Sequence, residues 1–146
     1  MGRRVFHGFL LNLLGMLLPA VALGANLEVE IVGLASDRGD VHVALYDNPS
    51  AFPKSDGMLS ETEVIPSGRV AKAVFSGLKS GRYAIAVYHD ENGNHDFDQG
   101  IFGIPLEDYG FSNDAPVFLG GGSGRQVSTK ILSLDAPVFL NGKYGR

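Results

Sequence analysis

Asp90, Asn92, Asn94, Asp96 and Asp98 occupy every second position of one short stretch. Five side-chain oxygen donors at that spacing suit a hard cation. Calcium takes roughly six to eight oxygens at about 2.3–2.6 Å, several of them anionic. Asp90, Asn92 and Asn94 fill the first, third and fifth places of a short calcium loop. Asp96 stands seventh, where a backbone carbonyl commonly serves, and Asp98 stands ninth. Two places depart from the helix-flanked form of such loops. His95 stands sixth instead of glycine, and Ile101 stands twelfth instead of glutamate. Histidine accepts a left-handed backbone better than most residues. The closing carboxylate must then come from farther along, and Glu107, Asp108 and Asp114 are the candidates. The expected metal set is Asp90, Asn92, Asn94, Asp96, Asp98 and Glu107, with calcium as the cofactor. Two other readings fit the same residues. One is an ion-free turn in which Asp and Asn cap backbone donors. The other is a transition metal held through His89 and His95.

Other chemistries find less support. There is no cysteine, no Gly-x-Ser-x-Gly elbow and no His-x-x-x-His zinc pair. Ser112 and Ser123 have no base nearby in sequence. The enzyme reading that fits best is a hydrolase using acids near His89, and the expectation is no enzyme. Gly120 to Gly124 lacks the Lys-Ser/Thr of a phosphate-cradling loop. His42 lies alone on a strand face and reads as surface or satisfied core.

The stretch that positions the acidic residues is a strand. Tyr83, Ile85 and Val87 alternate with Ala84, Ala86 and Tyr88, so both faces are apolar, as in a central strand. Gly77 and Gly81 bracket a turn before it. Upstream, Leu27, Val29 and Ile31 alternate with Glu28 and Glu30, and Val41, Val43 and Leu45 follow after a Gly33–Gly39 turn. These two strands read as a hairpin. Asp47 to Asp56 reads as loop, with Phe52 at the core edge. Further strands are expected at 61–65 (an edge strand), 69–75, 117–119, 127–134 and 138–140. Residues 100–114 read as a long ordered loop over the sheet, with Ile101, Phe102, Ile104, Tyr109 and Phe111 seeking burial. The sum is an all-β antiparallel sandwich of about seven strands, immunoglobulin-like or transthyretin-like.

Residues 1–25 read as a signal peptide: Arg3 and Arg4, an apolar run from Val5 to Leu18, then Pro19 and small residues. The run is shorter than the roughly 20 apolar residues of a spanning helix. Residues 26–146 then form one domain, in the periplasm or secreted, with no membrane contact after cleavage and a monomer expected. The net charge is −4. Tyr83 to Gly124 holds seven acids and no Lys or Arg, which excludes a nucleic-acid footprint. Partners are expected among proteins or glycans of the envelope.

Phe75-Ser-Gly-Leu-Lys-Ser-Gly-Arg-Tyr-Ala-Ile-Ala-Val-Tyr-His-Asp-Glu-Asn-Gly-Asn94, then Asp98, then Phe102-Gly-Ile-Pro-Leu-Glu-Asp-Tyr-Gly-Phe-Ser-Asn113, resembles exported bacterial proteins catalogued as domain of unknown function 2141. The turn into Tyr83 also resembles that of transthyretin-like and carboxypeptidase-regulatory sandwiches. The resemblance implies an exported β-sandwich and no reaction or ligand. The functional expectation is a non-enzymatic binding or structural module with a calcium loop. The alternative is an ion-free domain that interacts with protein or carbohydrate.

Overall fold

The computed structural model of the chain describes residues 24–114, 128–134 and 138–140. Residues 1–23 of the expected signal segment, the 117–119 strand and the Gly120–Gly124 turn lie outside the described residues, while Ala25, the last residue of that segment, begins the first strand. Among the described residues no helix is long and apolar enough to cross a membrane.

The fold is all-β. Among the described residues eight strands run in chain order: β1 (Ala25–Val32), β2 (Asp40–Tyr46), β3 (Ser60–Val64), β4 (Val70–Leu78), β5 (Gly81–Asp90), β6 (Asp108–Phe111), β7 (Ser128–Leu134) and β8 (Val138–Leu140). One sheet has the order β4-β1-β7, and the other β3-β2-β5-β6. Each of these neighbours is antiparallel, and β8 adds to the start of β5 in parallel.

Period-two alternation makes the sandwich. Leu27, Val29 and Ile31 of β1 face Val41, Val43 and Leu45 of β2 across one core, joined by Ala71, Ala73 and Phe75 of β4 and by Ile85 and Val87 of β5. All of these are buried. Each Leu, Ile or Val so removed from water contributes about 1.5–3 kcal/mol before entropy is subtracted. β5 is the central strand, paired with β2, β6 and β8. Its outer face is partly covered as well, with Ala84 buried and Ala86 and Tyr88 half-buried, which fits its two apolar faces.

Three expectations are corrected. β1 and β2 are not a hairpin: β1 pairs with β4 and β7, and β2 with β3 and β5. An apolar strand face packs across a sandwich as readily as alongside a neighbour, and the Gly33–Gly39 connection is long enough to change sheets. Residues 100–114 are not all loop, because 108–111 pair with β5 as β6. Ile101 and Phe102 do not seek the core. They are 78% and 97% exposed at a loop tip, where Phe102 has a positive φ. The expected edge strand is confirmed as β3, and the last strands as β7 and β8.

Candidate functional site

β5 delivers Asp90 to the outer face at the sheet's end, with no exposure at all. The chain then turns over its carboxylate. Asp90 Oδ1 accepts from the backbone N–H of Gly93 at 2.7 Å and of Asn94 at 3.2 Å, and Oδ2 accepts from His95 N–H at 2.6 Å. Asn92 and Asn94 repeat the device, their Oδ1 atoms accepting from Asn94 N–H at 3.0 Å and Asp96 N–H at 2.9 Å. Such a tight coil needs left-handed backbone at Gly93 (φ 71) and at His95 (φ 61), as the loop spacing required of the sixth place.

The loop closes on Asp98. Asn92 Nδ2 donates to Asp98 Oδ2 at 2.6 Å and Asn94 Nδ2 to Asp98 Oδ1 at 3.1 Å. Glu107, just before β6, reaches back: its Oε2 accepts from Asp98 N–H at 3.1 Å. Its other oxygen, Oε1, is buried without a hydrogen-bond partner. The structure thus gathers Asp90, Asn92, Asn94, Asp98 and Glu107. Asp96 joins through its backbone, and its side chain is exposed.

The two buried carboxyls are tuned in opposite directions. Burial pushes Asp90 up, but the N–H groups of His95, Gly93 and Asn94, with the His42 charge, outweigh it and hold the carboxyl below its ordinary value. Burial pushes Glu107 up, and the charges of Asp90 and Asp98 add to this against the Asp98 N–H. The depressed Asp90 contributes stability above its unfolded pKa of about 4, and that contribution is lost as pH falls through the lower folded value. Glu107 has the reverse sign: its stabilisation is present at low pH and lost as pH rises through its raised value. In chelator, the wild type is expected to lose melting temperature below about pH 4 more steeply than Asp90→Asn. Parallel pH–melting curves for the two proteins would contradict this.

The histidines separate. His89 lies on the inner face of β5 and donates from Nε2 to the Arg38 carbonyl at 2.8 Å. His95 lies on the outer side, edge-on to His42 at 5.7 Å. The His89–His95 pair expected for a transition metal is therefore not brought together, because His89 points to the inner face of β5 while the coil after Asp90 carries His95 back over the outer face beside His42.

His42 is the residue that sequence reasoning undervalued. It is 3% exposed and stacked on Tyr88 at 4.4 Å, yet it is not a satisfied core histidine. Nδ1 lies 3.2 Å from Glu61 Oε1, while Nε2 has no hydrogen-bond partner. Register supplies its neighbours: β3 sets Glu63 opposite His42 and Glu61 opposite Ala44. The only signal in sequence was two acids spaced by two on the edge strand. Beside His42 opens a cavity of about 600 Å³, lined among others by Tyr46, Tyr88, Phe97, Tyr109, Phe111 and Glu61. Tyr46 and Tyr88 are both held protonated by burial and then by nearby carboxylates, Tyr46 being pushed up to about 12. Their hydroxyls are donors at any physiological pH.

Residues 29–133 match the family described as uncharacterized protein conserved in bacteria (DUF2141). The chain belongs to this family. The match runs from β1 into β7, so it takes in strands of both sheets, the Asp90–Asp98 loop and the His42 cavity, and leaves out β8. No curated protein and no solved structure matches the chain.

Proposed function

We propose that this family member is an exported, non-enzymatic binding module in which calcium ties the Asp90–Asp98 loop to Glu107 and so fixes one wall of the aromatic cavity. The observation that carries the reading is Glu107 Oε1, a carboxyl oxygen buried without a partner beside Asp98. Ionising it there is opposed by burial, and a dication removes the penalty. The donors are oxygens alone, as calcium prefers to imidazole or thiolate.

The test is the melting temperature in excess calcium and in chelator. At a calcium concentration about a hundredfold above Kd, stability rises by about 2.7 kcal/mol, a shift on the order of 10 °C. Glu107→Gln is expected to remove most of that increment while folding normally in chelator. Equal melting in both buffers, with no calcium heat in calorimetry, removes the ion.

A second reading has its own support. The amide bonds to Asp98 already close the loop, which favours an ion-free interaction domain. Its cavity, with stacked aromatic faces beside Glu61 and Glu63, suits a sugar ring or a basic side chain of an envelope partner.

A further inference from the structure

Four carboxylates border His42. Asp40 Oδ1 lies 3.2 Å from Nε2 and Asp90 Oδ2 4.0 Å from it, while Glu61 Oε1 is at 3.2 Å and Glu63 Oε1 at 3.8 Å from Nδ1. No ion pair joins any of the four to Lys or Arg among the described residues. A carboxylate oxygen only accepts, so Nδ1 carries a hydrogen toward Glu61, and in the neutral imidazole Nε2 then presents a bare lone pair. That lone pair faces Asp40 Oδ1, and both atoms are buried without a hydrogen-bond partner.

The two atoms lie close but make no hydrogen bond with each other. An ion needs only that both atoms border one centre. Nitrogen and oxygen ligands of a tetrahedral zinc ion sit about 3.3 Å apart, given bond lengths of roughly 2.0–2.2 Å. The observed separation is 3.2 Å. Two further donors stand at the same place. His95 Nδ1 is 3.6 Å from Glu63 Oε1, and one ligand atom from each of Asp40, His42, Glu63 and His95 lies within 4.8 Å of the others.

We infer that Asp40, His42, Glu63 and His95 form a second cation site, for a borderline divalent ion of the zinc class. Two imidazoles with two carboxylates are donors for such an ion and not for calcium. Glu61 acts as the positioning residue: it holds the His42 tautomer by accepting from Nδ1, the outer-shell role that carboxylates play behind metal-bound histidines. Glu63 and His95 are exposed, so their side chains turn inward to complete the set. The site borders the aromatic cavity, which His42, Glu63 and His95 all line. It takes one ligand, His95, from the Asp90–Asp98 loop, whose backbone Asp90 holds, and it shares no donor with the proposed calcium set.

The experiment is calorimetric titration of the full-length, metal-stripped protein with zinc alone, then with calcium alone. One equivalent of zinc is expected. Glu63→Gln and His95→Asn should each weaken it by at least about 100-fold, more than the loss of an outer-shell partner. Both side chains are exposed, and Asn accepts the left-handed backbone at position 95, so both variants should melt like wild type in chelator. Glu107→Gln should leave zinc binding intact. Absence of saturable zinc binding, or saturable binding that Glu63→Gln and His95→Asn leave unchanged, overturns the site. Either result is independent of whether calcium binds.

Discussion

Gly39→Ala is expected to lower the melting temperature by on the order of 15 °C, a loss of about 3–4 kcal/mol. Gly39 ends the connection that carries the chain from the β1 sheet to β2. Its φ is 65, where any side chain costs about 1–2 kcal/mol. A Cβ there would also lie 1.8 Å from the carbonyl oxygen of Asp90 and 2.9 Å from Glu91 Cα. Both are backbone atoms, so nothing nearby can swing aside. Relief requires parting the start of β2 from the end of β5, where Asp40 is paired with Asp90. The neighbouring contacts go with it: His89 to the Arg38 carbonyl and Ser36 to Glu91. Gly68→Ala is the control. It has nearly the same φ of 63 and open space around the added methyl, so only the backbone term of about 1–2 kcal/mol applies. Thermal melts of both variants check the comparison. Equal losses would mean that Gly39 does not abut Asp90.

Asp90→Ala is expected to cost about 3–5 kcal/mol, because one buried carboxylate serves three backbone N–H groups. Each donor left unpaired costs about 1–3 kcal/mol, and water entering the emptied space recovers part of the sum. Asp90→Asn keeps the shape and one acceptor oxygen, so it should lose less than half as much. Denaturant unfolding gives the stabilities. Hydrogen exchange gives the location: amides of Gly93, Asn94 and His95 should exchange faster in Asp90→Ala while those of β1 and β4 keep their order of protection. Unchanged exchange at those three amides would show that the loop is held by something other than Asp90.

The acidic loop was legible because its information is local. Alternation through Tyr83–Val87 set the strand, and oxygen donors at every second place set the coil beyond it. The same spacing required left-handed backbone at His95, which the structure has, and Glu107, one of the distant carboxylates the sequence offered, accepts from Asp98 N–H. The His42 cluster was not legible. A single histidine between Val41 and Val43 reads the same whether its outer face meets water, apolar side chains or acids. Likewise Ile101 and Phe102 look like core from composition, and only the path of the loop leaves them in solvent.

By itself, then, the sequence determined an all-β sandwich, its central strand, its edge strand and the Asp90–Asp98 coil. Each of these follows from the period of side chains along one segment and from the backbone freedom of a few turn residues. The tertiary structure decided that β1 and β2 part into opposite sheets, that β6 pairs with β5, and that β3 lies beside β2 with Glu63 opposite His42. Strand pairing and register arise from hydrogen bonds between distant segments, and a shift of one residue would turn Glu61 and Glu63 to the other face. No local pattern encodes that choice.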